Sequence, residues 1–453
     1  MKGPTKNSVI SEPPPPAYST KEQRAWYMYD WANSAFYTTA VTVFLGPYLT
    51  SLAKSAAGAD GFLTLFGVRI AAQSVWPYAV SLSVLTQVIA LPLFGAMADY
   101  GRRKRELLGT LAYIGAISTG LMYFLGGERY LLGCLLFLGA NFTFGASIVI
   151  YNSFLPEIAP PEERDKVSSK GWGLGYLGGG ILLALNLVLF WQAESLGISE
   201  GHAVRISLAS AGIWWALFTI IPLRYLRNRG PQKSPPPGRS QVGEAVRQLI
   251  HTFSQIRNYP QTLLFLVAYL IYNDGIQTVI SMAAQFGREE MGLPIKVLTS
   301  AILLTQFVAF FGAIGFEYLA RWIGNKEAVM VSLAIWLATL VWIYLGVHTA
   351  THFYLAAGVI GVVLGGSQAL SRSIYTFMIP KGQEAEYFSV YEISEKGTSW
   401  LGPLLLGLAL QWTGSFRLAI LSLIVFFVIG LLLLWKLDMR TATLEAGNRP
   451  PRQ

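Results

Sequence analysis

Residues 95–105 read GAMADYGRRKR, and this stretch joins two apolar runs at 75–98 and 106–126. A helix needs about 20 residues to cross the hydrocarbon core of a bilayer, so each run is long enough to do so. The basic cluster Arg102–Arg105 between the runs favours the cytoplasmic side of a membrane. The stretch therefore predicts a transmembrane helical hairpin whose connecting loop lies in the cytoplasm.

The composition extends this prediction to the whole chain. Of its 453 residues, 53% are hydrophobic and only 13% are charged, whereas a soluble domain carries about a quarter charged residues. This composition largely excludes soluble enzymes and nucleic-acid binders. Twelve apolar segments follow one another, near 27–52, 75–98, 106–126, 130–155, 169–192, 205–226, 260–286, 297–320, 327–347, 352–379, 391–412 and 416–437.

The links between these segments are short, except for a basic, proline-containing link that divides the chain into six segments plus six. With the N-terminus inside, most of the 34 lysines and arginines fall on the cytoplasmic side, as the positive-inside rule requires. The predicted parts are a disordered cytoplasmic tail at 1–25, a six-helix bundle at 26–226, a cytoplasmic loop at 227–259, a six-helix bundle at 260–437 and a cytoplasmic tail at 438–453.

The two halves also share a sequence repeat. The pair IY at 150–151, followed by Pro156, recurs as IY at 374–375, followed by Pro380. Parallel six-helix repeats are the architecture of major-facilitator transporters. The predicted fold is therefore an all-α polytopic membrane protein with twelve transmembrane helices in two pseudo-symmetric bundles.

The 95–105 loop resembles the loop signature of the major facilitator superfamily, in which an aspartate and arginines form a charged latch. Tyr100 departs from that signature, and a plain topology-determining loop is the alternative interpretation. Glu392 and Lys396 are four residues apart, so on a helix they would form a local ion pair. Alternatively, Glu392 or Glu395 would contact the 95–105 loop and hold the gate closed. The candidate residues of this cytoplasmic gate are Gly95, Asp99, Arg102, Arg103, Glu392, Glu395 and Lys396.

The fifth segment is rich in glycine. Gly173, Gly175 and Gly178 satisfy a dinucleotide fingerprint, but that fingerprint needs a preceding strand and here it lies within an apolar helix. Close packing of transmembrane helices is the favoured interpretation, and no cofactor is expected. The candidate packing residues are Gly171, Gly175, Gly179 and Gly180.

Three further motifs carry a resemblance to a known family. YDWANS at 29–34, YNDGIQ at 272–277 and QALSRS at 368–373 resemble the autophagy-linked vacuole effluxers and their bacterial relatives. The resemblance covers about residues 25 to 437. It implies a twelve-span facilitator fold and, for the fungal members, amino-acid export from the vacuole. The likeness to bacterial members implies a multi-pass protein of the bacterial inner membrane, and the distribution of lysine and arginine predicts that both termini are cytoplasmic.

Polar residues inside the spans are the candidates for function, because charges in lipid normally face a cavity or a partner. Asp274 is expected near the bilayer midplane, where it would bind a substrate ammonium, carry a coupling proton or fix helix packing. Asp30 suits a gate, a helix cap or a substrate contact. Arg372 would hold a carboxylate or pair with an acid on another helix. The full set of candidates is Asp274, Asn273, Gln277, Tyr272, Asp30, Asn33, Arg372 and Gln368.

Catalytic motifs are not apparent in the sequence, and no catalytic residue or metal site is predicted. His348 and His352 have the spacing of a zinc helix but lack its glutamate, and Cys134 is the single cysteine. The leading hypothesis is a monomeric secondary transporter that moves a small polar solute by alternating access, with an amino-acid effluxer favoured and the proton as a candidate coupling ion. The alternatives are a proton-coupled exporter of drugs or other small molecules, a membrane-embedded enzyme or lipid-handling protein, and a non-transporting sensor.

Overall fold

The computed structural model describes residues 18–57, 61–65, 67–72, 75–100, 102–229, 256–396, 401–413 and 415–448. Most of the predicted central loop, at 230–255, lies outside the described residues, as does most of the predicted N-terminal tail. The first half of the chain forms α1 (Thr20–Ala35), a π-helical segment (Phe36–Phe44), α2 (Leu45–Ala56), α3 (Val75–Tyr100), α4 (Lys104–Leu121), α5 (Tyr130–Ser153), α6 (Leu155–Ile158), α7 (Arg164–Trp191) and α8 (Glu200–Tyr225).

The second half repeats this succession of long helices. It forms α9 (Pro260–Glu289), α10 (Ile295–Ile323), α11 (Asn325–Gly346), α12 (Ala350–Thr376), α13 (Glu384–Lys396), α14 (Leu401–Thr413), α15 (Phe416–Ser422), α16 (Ile424–Lys436) and α17 (Met439–Glu445). Single 3₁₀ turns lie at Met122–Phe124, Pro161–Glu163 and Ile256–Asn258.

Among the described residues, 10 helices are long and apolar enough to cross a membrane. The first of the two remaining predicted spans consists of α1, the π segment and α2. The eleventh corresponds to α13 and α14, and residues 397–400 between them lie outside the described part of the chain. In the π segment, the N–H of Leu45 donates to the carbonyl of Ala40, five residues back. Pro47 lies two residues further on and has no N–H to donate to the α-helical hydrogen-bond pattern.

Both predicted tails contain ordered helix next to the bundle. Helix α1 begins within the predicted tail because Glu22 ties it to the end of α8, accepting from the backbone N–H of Arg227 at 3.1 Å and from Nη2 of Arg229 at 3.0 Å. In the C-terminal tail, Asp438 caps α17. Hydrogen bonds from Thr441 hold the pKa of Asp438 below its usual value.

A small β-hairpin between α2 and α3 was not expected. Strand β1 (Phe62–Leu65) pairs antiparallel with β2 (Val68–Ala71). Gly67, at the turn, has a φ of +81°, a left-handed conformation that glycine adopts without steric cost. The hairpin adds to the helical architecture without changing it.

The buried apolar side chains form two large clusters, one in each half. Trp26 and Trp215 belong to the first, and Tyr272 and Trp336 to the second. Large apolar side chains on the outer surface remain exposed, including Ile89 and Trp435. Such a surface is suited to lipid rather than to water. Each half therefore has its own core, and the space between the halves is left for a site.

Candidate functional site

A cavity of about 450 Å³ lies between the two halves. The first half lines it with α1, the π segment, α3, α5 and α7, and the second half with α9, α10, α11, α12, α13 and α15. Most of the wall is apolar. Its charged and amide-bearing side chains are Asp30, Asn33, Gln87, Asn141, Asn152, Gln277, Gln306, Gln368, Arg372, Glu392 and Glu395.

Arg372 of α12 reaches across from the second half and binds residues of the first. Its Nη1 lies 3.2 Å from Oδ2 of Asp30 on α1. Its Nε donates to Oγ of Ser168 at 2.9 Å and its Nη2 to the carbonyl of Ser168 at 2.8 Å. Tyr151 donates its hydroxyl to the same oxygen of Asp30 at 2.6 Å. Of the two roles considered for Arg372, the structure therefore contains the pairing with an acid on another helix.

Aromatic rings enclose this ion pair. The guanidinium carbon of Arg372 lies 4.8 Å from the ring centre of Trp26, 5.2 Å from that of Trp172 and 5.7 Å from that of Tyr151. The negative faces of aromatic rings attract such a cation. Both Asp30 and Arg372 are almost fully buried, so the pair closes the cavity at the end of the bundle that carries the chain termini. We call this end the terminal face.

The glycines of α7 allow α1 to approach closely enough for this arrangement. A Cβ on Gly171 would lie 2.7 Å from both Oδ2 of Asp30 and the ring of Trp26. On Gly175 and Gly179, a Cβ would meet side-chain oxygens of α1 and the π segment at 2.8 and 2.7 Å, and on Gly180 it would lie 3.2 Å from α10. These contacts are the helix packing expected of small residues.

Asp99, at the end of α3, contacts the start of α13 across the terminal face. Its carboxylate accepts from the backbone N–H of Ala385 at 2.9 Å and of Glu386 at 2.8 Å. A Cβ on Gly95 would lie 2.5 Å from the carbonyl of Ala385, so only glycine permits this approach. The negative charge of Asp99 suits the partial positive charge of a helix N-terminus.

The gate residues therefore differ in part from the prediction. Asp99 binds the backbone of α13 and not Glu392 or Glu395, because α13 begins at Glu384, several residues before the predicted span. Arg102 and Arg103 are exposed. The side chain of Lys396 lies outside the described part of the chain, so its pairing with Glu392 stays a prediction.

Glu392 and Glu395 face the cavity instead. Asn152 of the first half donates its amide to Oε1 of Glu392 at 3.1 Å, and Tyr269 donates its hydroxyl to Oε2 of Glu395 at 3.2 Å. The two acids are three residues apart on α13, so they share one face of the helix. Both line the same cavity as Arg372.

The central polar residues of α9 have different surroundings. Gln277 lines the cavity, whereas Asp274 is not among the described lining residues. Asp274 is buried beside the backbone of Gly402 on α14. Asn273 donates to the carbonyl of Glu395 at 3.3 Å, and the hydroxyl of Tyr272 lies 2.6 Å from that of Ser371. Of the three roles considered for Asp274, this position agrees with that of fixing helix packing.

Two other predicted residues line the cavity. Gln368 accepts a hydrogen bond from the hydroxyl of Tyr176. Asn33 is 3% exposed, and its amide nitrogen has no hydrogen-bond partner among the described residues. Sequence reasoning missed Trp26 and Ser168 as partners of Arg372. Tyr151 could have been found, since it belongs to the repeated IY motif.

Residues 18–447 match the family described as "Vacuole effluxer Atg22 like". The chain belongs to this family. An uncharacterized MFS-type transporter of Bacillus subtilis, YxiO, is 33% identical to it over 94% of this chain and 96% of the relative. Autophagy-related protein 22-2 of Aspergillus niger is 26% identical over 83% of this chain and 77% of the relative.

Solved structures share the fold at low sequence identity. The proton:xylose symporter XylE, a major facilitator superfamily protein, matches with a TM-score of 0.68 and 13% identity, over 92% of this chain and 95% of that one. A bacterial homologue of the iron transporter ferroportin, in an outward-facing state, matches with a TM-score of 0.64 and 14% identity, over 92% and 99%. This Atg22-like chain is therefore a multi-pass integral membrane protein with the major-facilitator fold, and a transporter rather than an enzyme.

Proposed function

We propose that the protein is a secondary active transporter that exports amino acids by alternating access around the central cavity. The observation that carries this proposal is the ion pair between Arg372 and Asp30. It joins the two halves directly at the terminal-face end of a cavity that both halves line. Rocking of one bundle against the other would break this contact and open the cavity to the terminal face.

Further contacts between the halves lie towards the same end. Arg164 of α7 donates to the carbonyl of Thr376 at 3.1 Å, and Asn325 of α11 donates to Asp165 at 2.9 Å. Together with the contact of Asp99 to α13, they hold the terminal face closed. The conformation therefore corresponds to access from the opposite side of the membrane. By the positive-inside rule, the terminal face is cytoplasmic and the opposite side is external, in a bacterial inner membrane.

Efflux is favoured by the family, whose description names vacuole effluxers, and amino acids are the solute that the resemblance to its fungal members implies. A cavity of about 450 Å³ is also of the size that holds small molecules. A proton-coupled exporter of drugs or other small molecules is the second candidate. The observation in its favour is that two acids, Glu392 and Glu395, line a largely apolar cavity.

Solute counterflow tests the proposal. Purified full-length protein is reconstituted in liposomes that are loaded with one unlabelled amino acid, and uptake of a trace of the labelled amino acid is followed. The proposal predicts a transient, saturable overshoot for at least one amino acid. The matched control is Arg372→Ala, which removes the contact between the halves and is expected to abolish the overshoot. Overshoot with non-amino-acid solutes only would support the second candidate, and conversion of a solute without net movement would contradict transport altogether.

A further inference from the structure

The side chain of Asn152, on α5, bonds to two residues of the second half. Nη1 of Arg372 donates to its Oδ1 at 3.4 Å, and its Nδ2 donates to Oε1 of Glu392 at 3.1 Å. All three side chains line the central cavity, and each of the three residues is 2% exposed. Because both contacts cross between the halves, both would break when the bundles rock apart.

The two partners determine the orientation of the amide group. A guanidinium group only donates hydrogen bonds, so the carbonyl oxygen of Asn152 must face Arg372. A carboxylate only accepts them, so the amide nitrogen must face Glu392. Reversal of the amide would therefore break both contacts at once. A side chain that offers a donor on one side and an acceptor on the other is needed at this position.

The sequence repeat contains an equivalent position in the second half. Asn152 and Thr376 each follow the repeated IY pair. Thr376 also bonds to an arginine of the other half: Nη1 of Arg164 donates to its carbonyl at 3.1 Å and to its Oγ1 at 3.4 Å. The hydroxyl of Thr376 itself donates to the carbonyl of Ser373, within its own helix, at 2.7 Å. Both positions therefore carry a contact between the halves, and Asn152 extends its contact to an acid of the cavity wall.

The strength of this contact depends on the charge of Glu392. A hydrogen bond to a carboxylate is about twice as strong as one to a neutral acceptor. Donation to a charge also polarises the amide, which makes its oxygen a better acceptor for Arg372. The charge on Glu392 thus strengthens both contacts of Asn152 while the terminal face is closed. Once the halves separate, the charge no longer acts through this amide.

We infer that Asn152 is a positioning residue that links the cavity to the terminal face. Through it, the negative charge on Glu392 helps to hold the terminal face closed, and loss of that charge favours opening. The inference rests on the proposed function, since opening of this face is a step of alternating access. The competing role for Asn152 is packing of α5 alone.

A thiol at the terminal face measures opening. Ser373 is 0% exposed and follows Arg372 directly on α12. Full-length protein with Ser373→Cys and Cys134→Ser has one thiol, because Cys134 is the single cysteine of the chain. A water-soluble maleimide would reach that thiol only while the face is open. Its labelling rate in folded, purified protein, at one pH, therefore follows the open fraction.

Two substitutions in this background test the link. Glu392→Gln removes the charge at nearly constant shape and should raise the labelling rate about 5-fold, the difference between a hydrogen bond to a charged and to a neutral acceptor. Asn152→Leu removes both contacts of the amide and should also raise the rate. Addition of Glu392→Gln to Asn152→Leu should then raise it no further.

A third substitution gives a change of sign that packing would not produce. Asn152→Asp keeps the oxygen that faces Arg372 but presents an oxygen, in place of an N–H, to Glu392. Two carboxylates would then face each other across the halves and favour opening. In this variant Glu392→Gln should lower the labelling rate, because it removes the repulsion and supplies a donor.

Glu395→Gln is the matched control. Glu395 lines the same cavity about one turn further along α13, and its carboxylate accepts from Tyr269, a residue of the same half, at 3.2 Å. This substitution removes the same charge from the same helix. Its effect on the labelling rate should be the same with and without Asn152→Leu.

Three results would overturn the inference. They are an unchanged rate in Glu392→Gln, an equal effect of Glu392→Gln with and without Asn152→Leu, and a rise in rate when Glu392→Gln is added to Asn152→Asp. Counterflow of labelled amino acids into liposomes, with the parent protein, separates this inference from the proposed function. If counterflow is found and the rates show no link, transport stands and the inference fails. If the rates show the link and no solute gives counterflow, the transport proposal fails and the link between Asn152 and Glu392 remains.

Discussion

Substitution of Asp30 by asparagine should open the terminal face. Asp30→Asn keeps the shape of the side chain but removes the negative charge that lies 3.2 Å from Nη1 of Arg372. The side chain of Arg372 is only 3% exposed, so the closed conformation would then contain a buried cation without its counter-charge. In the open conformation water would reach Arg372, and the same substitution would cost little.

The magnitude follows from the cost of an unpaired buried charge. Removal of one partner from a buried ion pair costs about 3–5 kcal/mol. The lower end applies here, because the amide oxygen of asparagine still accepts from Tyr151 and Arg372. A difference of about 3 kcal/mol changes the ratio of open to closed molecules by about 100-fold.

A buried reporter cysteine measures that ratio. Cys134 is the single cysteine, so Cys134→Ser provides a cysteine-free background, into which Ser373→Cys is introduced. Ser373 is 0% exposed and follows Arg372 directly on α12. A water-soluble maleimide would reach this thiol only while the terminal face is open, and its labelling rate would therefore follow the open fraction.

Asp30→Asn should raise this labelling rate by up to about 100-fold, until the open form predominates. Asp438→Asn is the matched control, since it removes a carboxylate at the terminal face that only caps α17, and it should leave the rate unchanged. If folded Asp30→Asn protein is labelled as slowly as this control, the ion pair does not hold the face closed.

Three further substitutions test other parts of the account. Gly171→Ala would place a Cβ 2.7 Å from Asp30 and should lower the thermal midpoint of unfolding by several degrees. Gly120→Ala is the control, because its new methyl group would have no neighbouring atom within 4 Å, and it should leave the midpoint unchanged. Equal midpoints for the two variants would contradict the packing argument. Asp99→Ala removes the cap on α13, worth about 1 kcal/mol, and should raise the Ser373→Cys labelling rate several-fold; an unchanged rate would exclude a latch. Asp274→Asn should retain counterflow, because Asp274 packs beside Gly402 rather than in the cavity; complete loss of flux in folded protein would return Asp274 to the transport mechanism.

The span pattern could be predicted from the sequence because it depends on local composition. An apolar run of about 20 residues has few alternatives to a transmembrane helix, and the repeat of IY and proline indicated two related halves. The hairpin of β1 and β2 was missed, since it falls in a link that has no transmembrane signal of its own. The start of α13 was placed too late because Glu384 and Glu386, which lie in its first turn, are charged.

The site was harder to predict because its contacts join distant parts of the chain. Arg372 and Asp30 are 342 residues apart, so charge within a span identified each residue as a candidate but could not show that they pair. The orientation of a helix that is apolar on most sides is also poorly determined by sequence. Asp274 and Gln277 are three residues apart, which is only about 60° around a helix of 3.6 residues per turn, so their spacing could not show that Gln277 lines the cavity while Asp274 packs beside Gly402.

A distance measured between the two halves tests alternating access most directly. Spin labels are placed at the terminal face on Arg102 and Trp322, both exposed and one in each half, in the Cys134→Ser background. Double electron–electron resonance in liposomes then gives the distribution of distances between them. The account predicts two populations, of which the longer grows when Asp30→Asn is introduced. A single distance that this substitution leaves unchanged would contradict movement of the two bundles about the contact between Arg372 and Asp30.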